Sequence, residues 1–350
     1  MRDDHERSFR RNLLICLVTA VVICAVVELT CVSLGVAPLF TANLPLNEKM
    51  RFLREHPPGP GPIGVISGAS IALNDIDSDL LEDREGRPFV NLGANGVSAQ
   101  TSEQFYKQLA DLYPVREVIF AASPVELRDA YRSDVQVPTA VFRRYVLGRM
   151  TIAEEFTYRD IPGLVSYWKN WRDYHSRTSP MSLVFTKTGA VPLDMESQSA
   201  KSPSGIDEAL DLSSSCVRCM SDLVRYCQDV RGAGRSFTVV MGPVRPDVIE
   251  DMPKVRAVVA ERRKQIRSAV QSCGATLFDI TEYATIDGSC FANSLHLNAQ
   301  GMRTLTAQFV RFRRGDPAPK GTVLSCGGSP TVRASNSGQE TASGSRNNTE

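Results

Sequence analysis

The residues best suited to chemistry are a serine and a histidine far apart in a chain of 350 residues. Ser70 follows the apolar run Ile63 to Ser67 by way of Gly68 and Ala69. Gly68 allows a tight turn, which leaves the Ser70 hydroxyl exposed beside the start of a helix with its N–H turned toward a bound oxyanion. The histidine is His296, in Asn293-Ser294-Leu295-His296-Leu297-Asn298, just before Gly301 opens the last helical segment. Of the four histidines, only His175 and His296 fall in the folded part. His175 lies in an inserted segment, so the role of general base falls to His296. Between them, Asn91-Leu92-Gly93-Ala94-Asn95-Gly96 offers the N–H of Gly93 and the side-chain amide of Asn95. A serine, a histidine and oxyanion donors converging on one edge make the constellation of acyl transfer.

The elements that must bring these residues together follow from short apolar runs. Ile63 to Ser67, Phe89 to Leu92, Val118 to Ala122, Phe237 to Met241 and Thr276 to Asp279 suit strands buried on both faces, as in a parallel sheet. Helical periodicity lies between them. Phe105, Leu109 and Leu112 form one stripe; Val255, Val259, Ile266 and Val270 form another behind Pro253 in a first turn; Met302, Leu305, Phe309 and Phe312 form the last. Alternation of this kind predicts a doubly wound α/β sandwich with right-handed crossovers. In such sheets ligands bind at the carboxyl ends of the strands, where Ser70, Gly93 and His296 fall. The rhythm breaks at about 130–205, an inserted and largely helical segment with Leu164, Trp168 and Trp171 on one face; the tryptophans are expected to pack onto the main domain, with a substrate groove or the bilayer surface as the alternatives.

Gly68-Ala69-Ser70, the block from Asn91 to Gly96, and the block from Asn293 to Asn298 followed by Gly301 resemble the SGNH/GDSL hydrolase family. The resemblance runs over roughly Ile63 to Arg314. It implies a flavodoxin-like three-layer sandwich and ester chemistry, with Ser70 as nucleophile, His296 as base and the Gly93 N–H as oxyanion donor. Membrane-anchored members of similar layout acetylate or deacetylate envelope polysaccharides. This implies a glycan or other acyl ester as substrate, a membrane-embedded acyl-transfer partner and no cofactor.

The chain departs from the family at three places. Asn293 stands where the family has an Asp three residues before the His. An Asn can orient an imidazole without offering it a negative charge; Asp287 or Asp279 can substitute if the loop folds back, and a Ser-His dyad is a further arrangement. Ala69 replaces the Asp of Gly-Asp-Ser. The third block, Ala122-Ser123-Pro124, lacks the Asn donor, a role open to Asn95. The second reading is therefore a catalytically weak or inactive SGNH-like protein that holds substrate or assembles a polysaccharide-modifying complex.

The remaining sequence sets the context. From Leu13 to Val27 only Thr19 interrupts the apolar run, which resumes after Glu28 as far as Phe40. That length can cross a bilayer. A cleaved signal peptide competes, but Pro38 directly after Gly35-Val36-Ala37 argues against cleavage. Arg7, Arg10 and Arg11 crowd the N-terminal flank, which predicts a cytoplasmic N-terminus of 1–12, an anchor at 13–40 in the plasma membrane and a main domain outside it. A Pro-rich linker at 41–62, a hydrolase-like domain at 63–315 and a disordered tail at 316–350 complete the expected organisation. Six cysteines lie beyond the anchor, an even number that permits disulfides; Cys216 and Cys219 read as a structural disulfide or packed thiols, with no metal site around them. Forty Lys+Arg against 39 Asp+Glu give a net charge of +1. That balance argues against nucleic acid as a partner.

Overall fold

The computed structural model describes residues 2–33, 41, 43–127, 138–158, 161–195, 216–326 and 331–332. Helix α1 (Arg2–Ser33) is followed by α2 (Leu44–Glu55), β1 (Ile63–Gly68), α3 (Ser70–Asn74), α4 (Ser78–Glu85), β2 (Phe89–Asn91), α5 (Ala99–Ala110) and β3 (Val115–Ala122). The inserted region contributes α6 (Thr139–Val146), α7 (Ile152–Thr157), α8 (Ile161–Lys169) and α9 (Trp171–Tyr174). The chain then forms α10 (Val217–Gly232), β4 (Ser236–Met241), α11 (Pro246–Asp251), α12 (Pro253–Ser272), β5 (Thr276–Asp279), β6 (Ala284–Ile286), α13 (Ala299–Arg313), β7 (Thr322–Leu324) and β8 (Thr331–Val332).

Five strands build one parallel sheet in the order β2-β1-β3-β4-β5. This is the flavodoxin-like order, with its topological switch point between β1 and β3. Successive residues of a strand face opposite layers, as the pleat requires. Val65, Val118, Phe120, Val239 and Met241 pack toward α5, α10 and α12. Ile66, Ile119, Ala121 and Val240 pack toward α3, α4 and α13. The three-layer α/β sandwich is thus present, and the five strands match the expected runs almost residue for residue.

The organisation expected around the sandwich changes in three places. Residues 44–55 are helix rather than linker, because Asn43 caps the N-terminus through Leu46 N–H at 3.0 Å and Leu46, Met50 and Leu53 join the sheet's core. The Pro-rich stretch is confined to 56–62. The tail does not begin at Asp316 either. Strand β7 pairs in parallel with β6, and the Cys290–Cys326 disulfide ties the segment to the domain; residues 333–350 lie outside those described. Finally, the insertion does not pack on the sheet through its tryptophans. Trp171 lies beside Tyr167, Tyr174 and Leu183 against Val27 and Cys31 of α1; the Leu164 side chain falls outside the described set. Two further disulfides join Cys216 to Cys219 and Cys227 to Cys273.

Candidate active site

All five strands of the main sheet are parallel, so Gly68, Asn91, Ala122, Met241 and Asp279 end at one edge. Gly68 turns the chain out of β1 with φ +135°, and a Cβ there would meet the Ala121 carbonyl oxygen at 2.1 Å. Only glycine lets β1 end so close to β3. The turn delivers Ser70 as the first residue of α3.

The Ser70 hydroxyl donates a hydrogen bond to the Glu126 carboxylate. The same carboxylate accepts the Ile71 N–H at 3.1 Å through Oε1 and the Ser123 N–H at 3.3 Å through Oε2. Glu126 is buried and follows β3. Ser70 follows β1, the neighbouring strand, so the two residues meet across the switch point. Two backbone N–H groups, of Ile71 and Ser123, therefore meet one carboxylate beside the serine oxygen. That is the arrangement an acyl oxyanion requires.

Asp75 caps the other end of α3 and has no exposed surface. Its Oδ1 accepts the Leu297 N–H at 3.1 Å and faces His296 Nδ1 at 3.7 Å. That distance suits an ion pair and is too long for a hydrogen bond. Asp75 Oδ2 and His296 Nδ1 are buried without hydrogen-bond partners. Burial pushes the Asp75 carboxyl up to about 6, against the opposing pull of His296. For His296 burial works against the imidazolium, but Asp75, with a smaller contribution from Glu126, outweighs it and raises the pKa above the ordinary histidine value. Glu126 thus acts electrostatically on both members of the Asp75–His296 pair. Among the described residues no hydrogen bond joins Ser70 to His296.

The other residues expected at the site play different parts. Asn293 does not orient the imidazole: its Oδ1 accepts the backbone N–H groups of Leu295 and His296, both at 2.9 Å, and so shapes the loop. Asp279 accepts from Thr281 N–H and lies near Arg263 and Arg267, while Asp287 accepts from Ser289 N–H, so neither replaces it. The Gly93 N–H is not free for an oxyanion, because it donates to Asn91 Oδ1 at 2.8 Å. Gly93 is needed for space: a Cβ would sit 2.5 Å from the Leu73 nitrogen. The Asn95 Oδ1 is buried without a hydrogen-bond partner, and its backbone carbonyl accepts from Asn43 Nδ2 at 2.8 Å. The sequence reading missed Asp75 and Glu126. Both carried a signal, since Asp75 is a carboxylate one short helix beyond Ser70 and Glu126 follows Pro124 at the third strand end.

The strand order, the serine after β1 and the histidine before the last helix carry the family likeness. The chain resembles the SGNH/GDSL hydrolases. No protein-family model matches it, and no curated protein sequence matches it. Among solved structures it is similar to a lipase/acylhydrolase from Enterococcus faecalis, with 12% identity, 74% of this chain and 99% of that chain covered, and a TM-score of 0.38. It is also similar to a carbohydrate acetylesterase from Sinorhizobium meliloti, with 11% identity, coverage of 73% and 99%, and a TM-score of 0.37. An aryl esterase from M. smegmatis gives 11% identity, coverage of 73% and 100%, and a TM-score of 0.36.

Proposed function

We propose that this SGNH-like chain is a serine esterase or O-acyltransferase, anchored by α1 with its main domain on the outer face and acting on acyl esters of an envelope glycan. One observation carries the reading: α3 holds Ser70 at one end and, at the other, the carboxylate that faces the only histidine near the strand ends. In the reaction Ser70 Oγ attacks the ester carbonyl carbon and loses its proton to His296 Nε2, the ring nitrogen opposite the one that faces Asp75. Asp75 stabilises the imidazolium that forms, the part Asn293 does not play. The Ile71 and Ser123 N–H groups stabilise the tetrahedral oxyanion. Collapse returns the proton to the departing alcohol and leaves an acyl-serine. Water or a sugar hydroxyl then gives its proton to His296 and attacks the acyl carbon; as the acyl–Oγ bond breaks, His296 returns that proton to Ser70 Oγ, which regenerates the free serine. Exclusion of water decides between hydrolysis and transfer. A membrane-embedded partner that supplies acyl groups belongs to the transferase form.

For substrate to enter, the Glu126 carboxylate must leave the donors it holds. That contact supports a second reading, in which the site is closed to esters and the chain binds or assembles rather than turns over. Labelling of the full chain by a fluorophosphonate, with hydrolysis of an acetyl ester measured in parallel, tests the two. Signals lost in both Ser70→Ala and His296→Ala support catalysis. A folded, unreactive wild type refutes it and leaves the binding reading.

A further inference from the structure

Helix α1 carries a bilayer-length apolar segment, and its depth can be read by counting. Arg10, Arg11 and Asn12 precede Leu13, so a span of about 20 residues, or about 30 Å at about 1.5 Å per residue, runs from Leu13 to about Val32. The last turn of α1 is therefore still at membrane depth or at its outer boundary. Yet that turn is covered on one side by protein: Glu28 and Cys31 are buried, Cys31 among Tyr167, Tyr174 and Leu183. Leu29 and Val32, on the other side, are exposed. Whatever touches Cys31 shares its depth, so the inserted helices reach the bilayer surface.

Their outer face suits that position. Outside α1, the exposed large apolar side chains of the described residues are Leu147, Ile152, Phe156, Val165, Trp168 and Met181, all within or bordering the inserted helices, with Val217 elsewhere. Helix α7 lies against α1. Both tryptophans of the chain are here, stacked with ring centroids 5.1 Å apart, and Trp168 is 43% exposed. An aromatic surface at the mouth of a spanning helix matches the chemistry of the headgroup region.

We propose that the inserted helices α7 to α9 lie in the outer leaflet of the bilayer that α1 crosses, with Trp168 at headgroup depth. The inference rests on the anchor reading of α1. It ties the catalytic domain down through two attachments, so the strand-end site keeps a fixed attitude to the membrane.

The test uses the full chain in phosphatidylcholine–phosphatidylglycerol vesicles containing lipids brominated at a shallow or a deep acyl position. Since Trp168 and Trp171 are the only tryptophans, the Trp171→Phe variant reports on Trp168 alone, and Trp168→Phe reports on Trp171. The expected result is co-flotation with the vesicles, loss of most Trp168 emission with the shallow bromolipid, less with the deep one, and protection from acrylamide. Co-flotation with Trp168 unquenched by bromine and open to acrylamide overturns the surface proposal while leaving the anchor intact; such a surface belongs to water or to a protein partner. Chain that remains in solution overturns the anchor and the proposal together. Trp168 is exposed, so Trp168→Phe leaves the fold unchanged.

Discussion

Ser70 and Asp75 stand at opposite ends of one five-residue helix and face different partners: the Ser70 hydroxyl donates to Glu126, and the Asp75 carboxylate faces His296 Nδ1 at 3.7 Å. The proposed nucleophile and the carboxylate that faces the imidazole are thus fixed to each other by a single turn of backbone. In the family pattern that Asn293 breaks, the carboxylate sits on the histidine's own loop. Here the carboxylate that faces the imidazole stands on the element that carries Ser70.

The first consequence concerns which residue supports the imidazole. Asp75→Asn should lower turnover of an acetyl ester by about 10³- to 10⁴-fold, as loss of the carboxylate does in a serine-protease triad. Asn293→Ala should act on the loop instead, costing about 1 kcal/mol for each backbone hydrogen bond lost. Steady-state kinetics beside thermal melts separate the two. Equal rate losses in both variants would contradict the assignment.

The pH dependence follows from the same pair. The Asp75 carboxyl has its folded pKa raised from the ordinary 3.8 to about 6, mainly by burial, so the folded protein holds a proton the unfolded chain has released. Its contribution to stability is complete below the unfolded value and is lost as pH rises through about 6. His296 is raised as well: burial lowers its pKa, but Asp75 and, less, Glu126 raise it more, so its contribution is lost as pH rises above the ordinary histidine value. Wild-type thermal midpoints should therefore fall relative to Asp75→Asn as pH rises from about 4 through about 6, and continue to fall above the ordinary histidine value. Catalysis needs neutral His296, so kcat/KM should rise through a pKa above 6.5, and Asp75→Asn should move that limb to lower pH. A gap in midpoints that does not change with pH would count against the pair.

Glu126 offers the opposite sign of effect. Replacing it with Gln removes a negative charge from beside the donors that would hold the oxyanion. Fluorophosphonate labelling of Ser70 should speed up by about tenfold or more. Slower labelling would mean that Glu126 serves as the serine's proton acceptor rather than as an occupant of its donors.

The disulfide between Cys290 and Cys326, at a sequence separation of 36, pins the segment that leads to His296. The Cys290 carbonyl accepts the Asn298 N–H at 2.9 Å, just before α13. Cys326→Ser should cost about 2–4 kcal/mol of stability and slow labelling of Ser70 by loosening the loop. Calorimetry on the exported chain and the labelling rate together check it, and an unchanged melt would show that β7 alone holds the segment.

The sequence by itself determined the sandwich, because runs such as Val118 to Ala122 and Phe237 to Met241 must bury both faces, and a strand buried on both faces reads as continuous apolar residues. It also determined that Ser70 and His296 belong to strand ends on one edge, since all parallel strands point the same way. Local pattern was equally enough to mark α1 as a membrane-length helix. The carboxylates needed more. Whether Asn293, Asp279, Asp287 or Asp75 meets the imidazole depends on which side chain a loop turns inward. Asn293 closes a turn on its own backbone, whereas Asp75 is delivered from a position 221 residues earlier in the chain. Glu126 reaches Ser70 only because β1 and β3 are neighbours in a sheet whose order is not the order of the sequence. Linear spacing specifies periodicity and turns; the meeting of side chains from separate strand ends is decided by topology and packing, and that is where this site was made.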